Sequence, residues 1–166
     1  MLNFFKLIDA LNNKVIQFFK YLASLLLAIV GLLILSDVLL RGAFNKPLIG
    51  VPEIIANLVV IIAFFQFAYA ASIESMLRSD FTIEKAGPKI RKILDCTTCF
   101  LGLVFFVLLA ISSYSSMVKS IISSEFEGHS SFRFPTSPLK STIFIFSSLT
   151  AFTYFLLLVK KTFNIK

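Results

Sequence analysis

Apolar residues along this chain gather into four long stretches, approximately residues 21–40, 54–72, 93–118 and 141–159, with short polar intervals between them. Each is close to the roughly 20 residues that a helix needs to cross the hydrocarbon core of a bilayer. Backbone groups inside lipid must satisfy one another, so apolar runs of this length are expected to be helical. The second and fourth stretches carry no charge; the first holds only Asp37 near its end and the third only Asp95 near its start. The pattern predicts an all-α integral membrane fold with four transmembrane helices over residues 21–159 and a short cytoplasmic tail, 160–166. No soluble domain separates the spans, and internal repeats are not evident.

Residues 1–20 follow a different rhythm. Phe4, Ile8, Leu11, Val15 and Phe18 recur at spacings of three and four, while Lys6, Asp9, Asn13, Gln17 and Lys20 occupy another face. This period predicts an amphipathic helix, expected to lie in the membrane interface ahead of the first span. The same pattern also fits a cytoplasmic extension of the first helix.

Composition agrees with a membrane protein. Of 166 residues, 57% are hydrophobic and 15% charged, too few polar residues to cover a soluble domain. The net charge of +7 sits beside apolar runs, so it points to lipid headgroups and topology rather than nucleic acid. With four spans, eleven of the sixteen basic residues fall on one side: Lys6, Lys14, Lys20, Arg78, Lys85, Lys89, Arg91, Lys92, Lys160, Lys161 and Lys166. The positive-inside rule therefore predicts that both ends and the second loop are cytoplasmic. The first long apolar run lacks a small-residue cleavage site and continues to full span length, so no cleavable signal peptide is expected.

Candidate chemistry is sparse. Cys96 and Cys99 form a Cys-Thr-Thr-Cys run near the cytoplasmic end of the third span, where disulfides do not persist. Zinc needs about four ligands, and the sole histidine, His129, falls on the opposite side. Helix packing is the expected role of the pair, with no metal and no cofactor. No Asp, Glu, Lys, Arg or His falls near the centre of a span, although such groups commonly mark proton relays and substrate paths. Neutral polar residues do occur there (Gln66, Tyr69, Ser112–Ser116, Ser147, Ser148, Thr150) and usually serve helix packing, although hydroxyls with backbone carbonyls could also bind sodium.

The first outer connection carries the most specific pattern. Asp37 and Arg41 are four apart and can pair on one helix face; Arg41 can also reach Glu53 across the loop. Pro47, Gly50 and Pro52 make a turn, Pro52 suits the first position of the next helix, and Glu53 complements its dipole. Taken together, Asp37, Arg41, Phe44, Asn45, Pro47, Leu48 and Glu53 resemble the motif of the small membrane subunit of tripartite ATP-independent periplasmic (TRAP) transporters, the DctQ or SiaQ type. Weaker matches follow the second span, at Asp80 and Glu84, where Ser79 and Asp80 replace the family's Gly and His, and precede the fourth, at Pro135.

The resemblance implies a bacterial inner-membrane protein that is not an enzyme. It would be a scaffold for a large sodium-coupled permease subunit, which takes up an organic acid delivered by a periplasmic binding protein. The motif residues would then serve assembly or structure, with no catalytic, metal or substrate-binding residue in this chain. The partners implied are the large subunit, the binding protein and membrane lipid. A four-helix exporter would need an embedded carboxylate, and a disulfide-forming membrane oxidoreductase would need cysteine pairs on the oxidising side.

Overall fold

The computed structural model describes residues 2–45, 50–73, 88–127 and 134–163. Pro47, Leu48, Asp80, Glu84 and His129 lie outside the described residues, as do Arg78, Lys85 and Lys166 of the charge pattern. Four long helices carry the described fold: α1 (Leu2–Phe44), α2 (Val51–Ser72), α3 (Pro88–Ile122) and α4 (Ser137–Phe163). All four are long and apolar enough to cross a membrane.

The amphipathic segment and the first span form one uninterrupted helix of 43 residues, about 65 Å at 1.5 Å per residue. No proline interrupts it. Ile16, Ala23, Val30 and Asp37 recur every seven residues and are all buried, which makes a single packing seam along α1. The apolar stripe expected for the N-terminal segment lies off that seam. Leu11 and Phe18 are exposed, and the face turned inward carries Asn12, Ile16 and Phe19 instead.

Extensive helix contacts run from α1 to α2, from α2 to α4 and from α4 to α3. The helices thus form an open layer in that order, with α4 the most buried and α1 the least. Between lipid-facing helices apolar burial gives little drive, so shape matching and interhelical hydrogen bonds carry the packing. Where α1, α2 and α4 meet, Phe146 lies 4.6 Å from Phe19 and 4.4 Å from Phe65, ring centre to ring centre. A second cluster joins α2, α3 and α4 through Ala71, Cys99, Phe106, Ala151, Tyr154 and Leu157. Gly102 makes room there for the Tyr154 ring, because a Cβ on it would stand 2.8 Å from that ring.

Polar groups tie both ends of the layer. At one end Asn12 Nδ2 donates to Thr153 Oγ1 at 3.1 Å, and Lys160 Nζ lies 2.5 Å from Asp9 Oδ2. At the other, the α3–α4 connection contains a two-residue antiparallel ladder that no alternation in the sequence announces, β1 (Phe126–Glu127) with β2 (Phe134–Pro135). Buried Ser120 and Thr136 share a hydrogen bond of 2.8 Å beneath it, Thr136 donates its N–H and its hydroxyl to the Glu125 carbonyl, and Lys140 pairs with the Glu125 carboxylate. The ammonium hydrogen bond from Lys140 holds the Glu125 carboxyl below the usual carboxylate range, against a smaller desolvation effect.

Candidate functional site

The sequence motif maps to the end of α1 and the start of α2. Asp37 is the last residue of the buried seam, with only 12% of its side chain exposed. Arg41 Nη2 donates to Asp37 Oδ2 at 2.8 Å from one turn further on, and 58% of the Arg41 side chain is exposed. The antiparallel packing of α1 and α2 explains why a carboxylate is tolerated at this depth. Lys20 of α1 meets Tyr69 of α2. Seventeen residues onward along α1 is Asp37, and seventeen back along α2 is Pro52 in its first turn. Asp37 therefore lies level with the positive end of the α2 dipole, which favours a carboxylate.

Asn45 and Gly50 flank the connection between α1 and α2. Asn45 has φ 53°, a left-handed conformation that Asn accepts more readily than most residues, and it stops α1. Gly50 has φ 84° and caps α2, its carbonyl accepting the Ile54 N–H at 3.1 Å. The helix opens at Val51, so Pro52 falls at its second position and Glu53 in its first turn. Phe44 is 69% exposed, so its place in the motif is not explained by packing within this chain. Pro135 belongs to the ladder, far along the chain from the motif.

Five of the described buried polar residues were not singled out by sequence reasoning: Asn12, Asn57, Ser120, Thr136 and Thr153. Asn57 Nδ2 donates to the Glu53 carbonyl at 2.8 Å, and its side-chain oxygen is buried with no hydrogen-bond partner among the described residues. Asn12 and Thr153 form the interhelical bond described above. A seven-residue count from Ile16 would have found the packing seam of α1, and Asn12 one turn before it, but nothing in the sequence names the partner. Cys99 is buried and Cys96 half-buried, and neither is joined in a disulfide. Among the described residues no three His, Cys, Asp or Glu side chains gather as a metal site would require. Between α2 and α3 the layer leaves an apolar cleft of about 600 Å³, lined by Phe64, Phe67, Leu101 and Phe105 with Tyr154 beside them.

These features define a multi-pass α-helical membrane protein whose charged groups cluster at the helix ends. Residues 30–163 match the family of the DctQ component of tripartite ATP-independent periplasmic transporters, and the chain belongs to that family. No curated protein and no solved structure matches it. The family match begins within α1, after the amphipathic segment.

Proposed function

We propose that this chain is a non-catalytic scaffold subunit. It braces the large sodium-coupled permease of a TRAP transporter that takes up an organic acid delivered by a periplasmic binding protein. The observation that carries the reading is the family match that runs from residue 30, within the first span, to residue 163. The layer adds support of a different kind. Some of its buried neutral polar groups tie separate segments together, as in Asn12 with Thr153 and Ser120 with Thr136. Its apolar cleft between α2 and α3 leaves a surface on which another membrane chain can pack.

In this reading both termini are cytoplasmic and the Asp37–Arg41 end faces the periplasm of a bacterial inner membrane. The excess of basic residues on the opposite side supports that orientation. The N-terminal segment contacts lipid through Leu7, Leu11 and Phe18, which are exposed and apolar. The test combines assembly with topology. A tagged chain should bring down the large subunit from solubilised membranes. With Cys96 and Cys99 replaced by serine, an impermeant maleimide should label Ser124→Cys but not Lys85→Cys in intact cells. Failure to recover the large subunit, or external labelling at position 85, contradicts the proposal.

A further inference from the structure

Beside the C-terminal end of α2 the structure holds a polar cleft of about 330 Å³, lined by Asn13, Gln17, Lys20 and Tyr21 of α1 and by Tyr69 and Ser72 of α2. Among the described residues no carboxylate lines it. Lys20 Nζ donates to Tyr69 Oη at 3.0 Å and sits 4.3 Å from the centre of the Tyr69 ring. The ammonium has three N–H groups, so two remain beyond the one given to Tyr69. Tyr69 Oη accepts that bond and keeps its own proton to donate, and the side-chain amides of Asn13 and Gln17 supply further donors.

The end of α2 contributes carbonyl oxygens, which by themselves would repel an anion. Those at Tyr69 are engaged: its carbonyl accepts from Ser72 Oγ at 2.8 Å and from the Ile73 N–H at 3.1 Å. What remains is a donor-rich, cationic recess. It lies where α2 ends and where the long apolar run of α1 begins, flanked by two tyrosines of the kind that collect at membrane–water boundaries. Tyr21 and Leu25, one turn apart on α1, are 69% and 59% exposed and continue an apolar track from the recess toward the span.

We infer that this cleft seats the phosphodiester of an anionic phospholipid. The Lys20 ammonium, the Tyr69 hydroxyl and the two amides hold the phosphate oxygens, and the acyl chains lie along Tyr21 and Leu25. A cation at the surface contributes about 1 kcal/mol toward an anionic lipid, equivalent to about a fivefold change in affinity. The competing role for Lys20 is to neutralise the carbonyl end of α2 with no ligand at all.

Native mass spectrometry of the delipidated full chain in detergent separates the two. It is titrated in turn with phosphatidylglycerol, with diacylglycerol bearing the same tails, and with inorganic phosphate. Retention of phosphatidylglycerol above diacylglycerol is expected, with a loss of about fivefold for Lys20→Gln and little change for Lys20→Arg. Lys14→Gln, which removes an exposed lysine outside the cleft, should leave retention unchanged. Tyr69→Phe provides a second reading if Lys20→Gln folds poorly, and should weaken retention about twofold to threefold. Equal retention of diacylglycerol, equal losses for Lys14→Gln and Lys20→Gln, or no effect of either cleft variant would overturn the inference. So would saturation by inorganic phosphate alone, which would assign the recess to a soluble phosphate.

Discussion

Replacing Gly102 of α3 with alanine adds one methyl group against the Tyr154 ring of α4. The new carbon would stand 2.8 Å from Cε1 and Cζ of Tyr154 and 3.0 Å from Cδ1. Carbon atoms in contact prefer about 3.5–4.0 Å, so the ring or the helix must retreat by roughly 1 Å. Tyr154 is 4% exposed and stacked on Phe106 at 5.8 Å, which leaves it little freedom on that side. The cleft between α2 and α3 touches the same ring and provides partial relief. Overpacking of this kind costs about 1–3 kcal/mol, offset by up to about 1 kcal/mol from the better helix propensity of alanine.

A net loss of about 1–2 kcal/mol is expected, a fall in Tm of about 2–8 °C for a chain of this size. Cys99, buried in the same cluster, reports the transition through a fluorogenic maleimide once Cys96 is serine. Gly31→Ala and Gly42→Ala are the controls, since an added Cβ at either meets nothing within 4 Å. Tyr154→Leu in the Gly102→Ala background should recover part of the loss in a double-mutant cycle. An unchanged Tm for Gly102→Ala, or losses that simply add, would refute the packing described for α3 and α4.

Three further outcomes follow from the Asp37 end of the layer. Arg41→Ala should cost only about 0.5–1 kcal/mol, because most of that side chain is exposed; the yield of assembled transporter should drop while the apparent KM for uptake in the surviving complex stays within about twofold. Asn45→Gly should melt near the parent temperature whereas Asn45→Val loses about 1–2 kcal/mol, because a β-branched residue is strained at φ 53°. The depressed Glu125 pKa stabilises the α3–α4 connection above the ordinary carboxylate pKa, and that contribution disappears as pH falls through the lower folded value. Hydrogen exchange at Ser123–Phe126 should accordingly differ between the parent and Glu125→Gln near neutral pH and converge only in acid below the depressed folded value; a difference that persists even there speaks against the ion pair.

The four spans were legible because their lengths and apolar composition answer to one physical requirement, the thickness of the hydrocarbon core. Their ends were less so. α3 begins at Pro88 and runs to Ile122, beyond the expected 93–118, because helical hydrogen bonding continues through polar turns that hydropathy treats as loop. The order of helices in the layer was not legible, since any apolar face satisfies lipid and a neighbouring helix equally well. This ambiguity also explains α1: its exposed stripe, Leu11 and Phe18, is more apolar than the face that packs through Asn12 and Ile16. The Asp37–Arg41 pair was readable from its spacing of four, and the structure shows Asp37 as the paired side chain on α1. Asn57 was not, because its use of the Glu53 carbonyl depends on local geometry rather than on any pattern. The cleft at Lys20 needed α2 in place, since Tyr69, Ser72 and Ile73 of its lining lie some fifty positions away in the chain.

The central claim, that this chain supports transport without performing it, is tested most directly by reconstitution. Proteoliposomes carrying this chain alone, the large subunit alone, or both are supplied with the periplasmic binding protein, an organic acid and an inward sodium gradient. The account predicts uptake with both membrane subunits, a lower rate or none with the large subunit by itself, and none with this chain by itself. Sodium-driven uptake by this chain alone would contradict it.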